Sequence, residues 1–132
     1  ISYEVAAMIF DTDILIWVQR GNLKAAKLIE GTSERYLSVQ SYMELLQCAH
    51  DKSQQRIVKR FLSDFNFKVL AFSENIGHRA LVYVEEYGIS SGMRAGDAII
   101  AATATENGLP LSSGNAKHIR SVKELDLRVF KP

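Results

Sequence analysis

The chain has 132 residues, a net charge of +1, 47% hydrophobic residues and two prolines. A length of this kind fits one domain able to bury about two thirds of its unfolded surface, and the composition excludes a disordered chain. The near-neutral charge excludes a polybasic nucleic-acid tail and leaves open a local basic patch.

No apolar run reaches the roughly 18–20 residues that span a bilayer, so no membrane partner is expected. Ile1 to Ala7 has neither the basic start nor the apolar core of a secretion signal, and it precedes a plausible initiator, Met8. Residues 1–7 are therefore read as an N-terminal extension and 8–132 as a single domain. Cys48 is the one cysteine and lies among Leu45, Leu46 and Ala49. That setting predicts a small buried core residue, and the low cysteine usage points to a reducing, cytoplasmic location.

Met8-Ile9-Phe10 is the short apolar run expected of a strand buried on both faces, and it leads straight into Asp11 and Asp13. Ile14 to Gln19 predicts a short helix stopped by Gly21, and Asn22 to Glu30 a second ended by Gly31. Tyr36 to Val39 is strand-like. Ser41 to His50 then places Tyr42, Leu45, Leu46 and Ala49 on one helical face. In the next helix, Lys52 to Phe65, the apolar side carries Ile57, Phe61, Leu62 and Phe65, and the other carries Arg56, Lys59 and Arg60. Phe67 to Phe72 is a third strand, followed by a helix over Ser73 to Tyr87. Met93 to Asn107, dense in Ala and Ile, is the strongest helix, with Gly108 as its stop. Leu109 to Ser112, Ala116 to Val122 and Leu127 to Phe130 read as strand, brief helix and closing strand. This alternation predicts a three-layer α/β/α sandwich around a mainly parallel sheet of four to five strands, with right-handed crossovers.

In such a sheet every strand ends at the same edge. Asp11 and Asp13 follow the first strand, and Glu44 sits in the first turn of the helix after the second. Asp97 lies near the start of the Ala-rich helix, and Ser113-Gly114-Asn115 follows the fourth strand. All of them converge on the crevice where open α/β sheets place their sites. Clustered hard oxygens suit Mg²⁺ or Mn²⁺, which can activate water beside a phosphodiester and stabilise charge on the leaving oxygen. Zinc-type ligation is not offered, because His50, His78 and His118 are widely spaced and Cys48 is alone. Neither a P-loop nor a GxSxG motif is present.

Each acid also has a local explanation. Asp13 can cap the helix that follows it while Asp11 accepts turn bonds. Ser41-Tyr42-Met43-Glu44 matches a capping box. Asp97 suits a helix N-terminus, and Asn115 can be the N-cap of the brief helix. The residues alone leave both readings of each acid standing.

These blocks together resemble the PIN domain (PilT N-terminus) family, and within it the VapC-like toxin branch. The likeness is carried by Ile9-Phe10-Asp11-Thr12-Asp13-Ile14-Leu15-Ile16-Trp17 and by Ser38 to Leu46, which contains Glu44-Leu45. It continues in Gly96-Asp97-Ala98-Ile99-Ile100-Ala101-Ala102 and in Leu109 to Ile119. The resemblance implies a metal-dependent endoribonuclease in which Asp11, Glu44 and Asp97 hold Mg²⁺ or Mn²⁺, with Asp13 a weaker ligand. Asn115 would accept a bond from a metal-bound water. A homodimer is implied, as is a cognate antitoxin whose tail enters the acidic crevice. Two departures stand out: Ser113 replaces the usual Thr, and His118 stands where many relatives carry a fourth acid. Ser113, Arg94, Lys117 and His118 form the expected substrate-binding set, with Arg120 also near the mouth. One alternative is a degenerate PIN module that binds RNA or a protein without cutting. Another is a haloacid-dehalogenase-like phosphatase with Asp11 as nucleophile. Against the phosphatase, Leu15 occupies its Thr/Val place and Gly96-Asp97 lacks its following acid.

Overall fold

In the computed structural model, which describes residues 4–132, the apolar run at the start of the chain becomes the central strand β1 (Val5–Phe10). It is flanked by β2 (Thr32–Ser38) and β4 (Leu111–Ser113), with β3 (Lys68–Leu70) and β5 (Leu127–Val129) at the edges. The order is β3-β2-β1-β4-β5 and every pairing is parallel. Ile9 pairs with Tyr36 on one side and with Leu111 on the other.

Successive strand residues point to opposite faces, so Met8 and Phe10 feed one core and Ile9 the other. The first core packs Met8, Phe10 and Leu37 against α1 (Thr12–Gln19), α2 (Leu23–Glu30), α3 (Val39–Cys48) and α4 (Lys52–Asp64). The second packs Ile9 and Leu111 against α5 (Glu74–Ser91), α6 (Ala95–Glu106) and the short α7 (Ala116–Ile119). In α6, Ala98, Ala101, Ala102 and Ala104 are all buried, and small side chains let this helix lie close to its neighbours. The result is the expected three-layer α/β/α sandwich, with a five-stranded parallel sheet.

Several details differ from the sequence reading. Val5 pairs with Thr32 and Ala7 with Glu34, so β1 starts at Val5, ahead of Met8; Ile1 to Tyr3 lie outside the described residues. β2 begins at Thr32 although Ser33 and Glu34 are polar and exposed. Part of the reason is Arg35. Its Nε donates to the Ile29 carbonyl at 2.7 Å, its Nη1 donates to the Phe65 carbonyl at 2.8 Å, and its guanidinium lies over the Phe65 ring. One cation thus serves the negative C-terminal ends of both α2 and α4. On α4 the buried positions are Val58 and Leu62, whereas Ile57 is 62% exposed. Cys48 is exposed, contrary to the core role expected of it. Leu45 and Val58 fill the α3–α4 contact, and Cys48 lies on the wall of an open groove beside it. Among the described residues no helix is long and apolar enough to cross a membrane.

Candidate active site

Asp11 ends β1 and forms the N-cap of α1, with Oδ1 accepting from the Thr12 amide at 2.7 Å and Oδ2 from the Ser113 hydroxyl at 2.7 Å. It is buried. Burial above all, and then the neighbouring Asp13, push its pKa up to about 7, against the pull of the Ser113 and Thr12 bonds. The cap of α1 is therefore Asp11 and not Asp13. Asp13 lies in the first turn, where Oδ2 accepts from the Gly114 amide at 2.9 Å. Its other oxygen, Oδ1, is buried without a hydrogen-bond partner, and burial raises its pKa as well. Gly114 is needed there, because a Cβ would come within 2.8 Å of Asp13 Oδ2.

α3 starts earlier than its sequence suggests, and this decides the role of Glu44. The N-cap is Ser38, whose hydroxyl accepts from the Ser41 amide at 3.0 Å. Glu44 is then well past the first turn, so the capping-box reading fails. Its Oε1 accepts from the Thr12 hydroxyl and its Oε2 from Gln40 Nε2 at 3.0 Å. The start of α6 presses against the same carboxylate, since a Cβ on Gly96 would lie 3.0 Å from Glu44 Oε2.

Asp97 is held from two directions. Its Oδ2 accepts from the Arg94 amide at 3.1 Å, the bond of a capping residue, and its Oδ1 accepts from Asn115 Nδ2 at 3.1 Å. Asn115 stands at the N-cap position of α7, yet its side chain makes no capping bond there.

Asp11, Asp13, Glu44, Asp97 and Asn115 line one open cavity of about 600 Å³, together with Thr12, Ile16 and Ile100. Among the described residues no Lys or Arg lines it. The expected substrate-binding residues fall elsewhere. Ser113 is fully buried, where its hydroxyl accepts from the Asn115 amide at 2.9 Å and donates to Asp11, so it supports the floor and cannot meet a substrate. Arg94 and Lys117 are exposed and lie outside the cavity wall. His118 turns away, with Nδ1 against the carbonyls of Ser91 and Gly92. Sequence reasoning missed Thr12 and Gln40. A signal existed for Gln40, which sits one helical turn before Glu44 on the same face.

The donor set suits a hard divalent cation. All the charged groups are carboxylates, one of their oxygens is buried with no partner, and like charge disfavours ionising them together. As the side chains stand, no three His, Cys, Asp or Glu groups among the described residues are close enough together to hold a metal ion. Thr12 and Gln40 hold Glu44 in that arrangement.

The model of the PIN domain family matches residues 8–124. The chain belongs to the PIN domain family. A comparison with curated protein sequences gave no match. Among solved structures, this PIN domain is similar to a chain of a toxin–antitoxin complex from Klebsiella pneumoniae, with 28% identity, a TM-score of 0.77, and 89% of this chain and 94% of the other covered. It also matches VapBC2 from Rickettsia felis bound to a promoter DNA fragment, at 18% identity and a TM-score of 0.77 over 95% and 99% of the two chains. VapBC-1 from nontypeable Haemophilus influenzae follows at 19% identity and 0.76, over 93% and 97%. The last two establish shared fold. Membership in the PIN domain family removes the phosphatase alternative.

Proposed function

We propose that this PIN domain is a metal-dependent endoribonuclease and the toxin of a toxin–antitoxin pair. The observation that carries the reading is the convergence of Asp11, Asp13, Glu44 and Asp97 on one cavity, with Asp13 Oδ1 buried and unpartnered. Asp11, Glu44 and Asp97 would hold Mg²⁺ or Mn²⁺, with Asp13 a weaker ligand. A bound divalent ion supplies an acidified water and stabilises charge on the leaving oxygen of a phosphodiester.

The chain's own residues prepare that site. Ser113 and Thr12 fix both oxygens of Asp11, while Arg94 and Asn115 fix both oxygens of Asp97. The raised pKa of Asp11 keeps a proton there near neutrality, which a cation would displace. Arg94, Lys117 and Arg120 are exposed cations that would steer an RNA backbone by long-range attraction. The similarity to toxin–antitoxin complexes supports a cognate antitoxin as partner, and we extend the reading to a homodimer in the cytoplasm.

A second reading, a module that binds RNA or a protein without cutting, draws on the engagement of both Glu44 oxygens and the absence of a ready ligand triad among the described residues. One experiment separates them. Purified protein is incubated with tRNA, ribosomal RNA and single-stranded DNA, in Mn²⁺ or in chelator, and new ends are mapped. The nuclease yields RNA ends in Mn²⁺ alone. Retained RNA affinity in chelator with no products at any Mn²⁺ concentration would leave the binding module.

A further inference from the structure

We propose that His118 is a positioning residue for Asp97, acting through the two segments that supply its hydrogen bonds; the metal-binding part of the test rests on the function proposed above. The two donors to Asp97 come from separate pieces of chain. The Arg94 amide belongs to the turn between α5 and α6, and the Asn115 side chain to the turn before α7. His118 joins these pieces. Its Nδ1 lies 3.2 Å from the Ser91 carbonyl and 3.0 Å from the Gly92 carbonyl, at the end of α5. Its own amide donates to the Asn115 carbonyl at 3.2 Å.

Both partners of Nδ1 are carbonyl acceptors, so Nδ1 must carry the hydrogen. The C-terminal end of α5 is also a place that favours a donor or a cation and disfavours an anion. The fit is close. Gly92 adopts φ 69° as the C-cap of α5, and a Cβ there would meet His118 Nδ1 at 3.2 Å and Cε1 at 3.3 Å. From Gly92 the chain passes through the buried Met93 directly to Arg94. A second link, between the Ser91 and Ser121 hydroxyls at 2.8 Å, ties the same two regions. Loss of the His118 donor would leave the Ser91–Ser121 bond to hold the α5–α6 turn to α7, and the two grips on Asp97 would be less firmly fixed relative to each other.

The position gives the test its edge. If His118 were only a missing carboxylate, His118→Asp would add a ligand and tighten Mn²⁺. As a positioning residue, it predicts the reverse. Asp faces two carbonyls with an anion, whereas His118→Asn keeps an N–H donor near the place of Nδ1. Mn²⁺ binding to the purified protein would be measured by electron paramagnetic resonance, and exchange of the Arg94 amide hydrogen by NMR in chelator. We expect His118→Asp to weaken Mn²⁺ binding about tenfold, the scale for a partner that orients a ligand, and to speed Arg94 exchange. His118→Asn should restore both toward the unsubstituted protein. Should His118→Asp unfold the chain, His118→Ala against His118→Asn gives the same comparison. Unchanged Arg94 exchange in the Asp and Ala variants, or tighter Mn²⁺ binding in His118→Asp, overturns the proposal. If the unsubstituted protein binds no Mn²⁺, the metal reading fails and the exchange data alone decide the role of His118.

Discussion

The Thr12 hydroxyl, in the first turn of α1, donates to Oε1 of Glu44 on α3, across the mouth of the acidic cavity. Because Ser38 caps α3, Glu44 has no helix-capping duty to lose. Glu44→Gln should therefore change stability by no more than about 1 kcal/mol, the worth of one hydrogen bond, while sharply weakening Mn²⁺ binding. Chemical denaturation and Mn²⁺ titration of the same sample measure both. Lost stability with unchanged Mn²⁺ affinity would return Glu44 to a structural role.

Asp97→Asn keeps the size of the side chain and the Arg94 and Asn115 neighbours. One of its two ends must now present an N–H to a donor, at a cost of about 1 kcal/mol. The fold should persist, and Mn²⁺-dependent RNA cleavage should fall beyond the roughly 100-fold seen when only an orienting partner is removed. Cleavage at the unsubstituted rate would remove Asp97 from the chemistry.

Asp11 makes the metal-free protein sensitive to pH. Its folded pKa of about 7 lies above the ordinary aspartate value of 3.8, so the folded state keeps a proton that the unfolded chain has released. That stabilisation is fully present below the unfolded pKa and is lost as pH rises through the folded one. In chelator, melting temperature should fall between about pH 4 and about pH 7 more steeply than in Asp11→Asn. Parallel slopes for the two proteins would contradict the shift. Mn²⁺ should restore stability on the alkaline side of this window in the unsubstituted protein and less so in the variant.

Arg35 tests the scaffold apart from the site. It bonds to the ends of α2 and α4 with a planar fork that Lys cannot reproduce. Arg35→Lys should cost about 2 kcal/mol in denaturant unfolding, with Mn²⁺ affinity retained. A loss of affinity equal to that of Glu44→Gln would tie this clamp to the cavity.

The order of strands and helices was legible because each element carries its own periodicity. The apolar run Met8-Ile9-Phe10 and the buried alanines of α6 mark the centre of the molecule directly. So was the clustering of Asp11, Glu44 and Asp97 at one sheet edge, which follows from parallel strands alone. What stayed hidden depended on a shift of a few residues or on the direction of a side chain. Moving the start of α3 to Val39 turns Glu44 from a cap into a wall of the cavity. Ser113 reads as a surface hydroxyl after a strand, yet the pleat of β4 aims it inward at Asp11. The ring of His118 is claimed by carbonyls at the far end of α5, a contact that no local pattern announces. Polar Ser33 and Glu34 hide the first half of β2, because its placement is fixed by pairing with β1 and by the reach of Arg35.

Gly114 and Gly96 bring the backbone close against the carboxylates of Asp13 and Glu44. A side chain introduced at either glycine would push on a carboxylate and shift it from its present place. At the outer rim, by contrast, exposed side chains such as those of Arg94 and Lys117 can be exchanged without crowding the acids beneath.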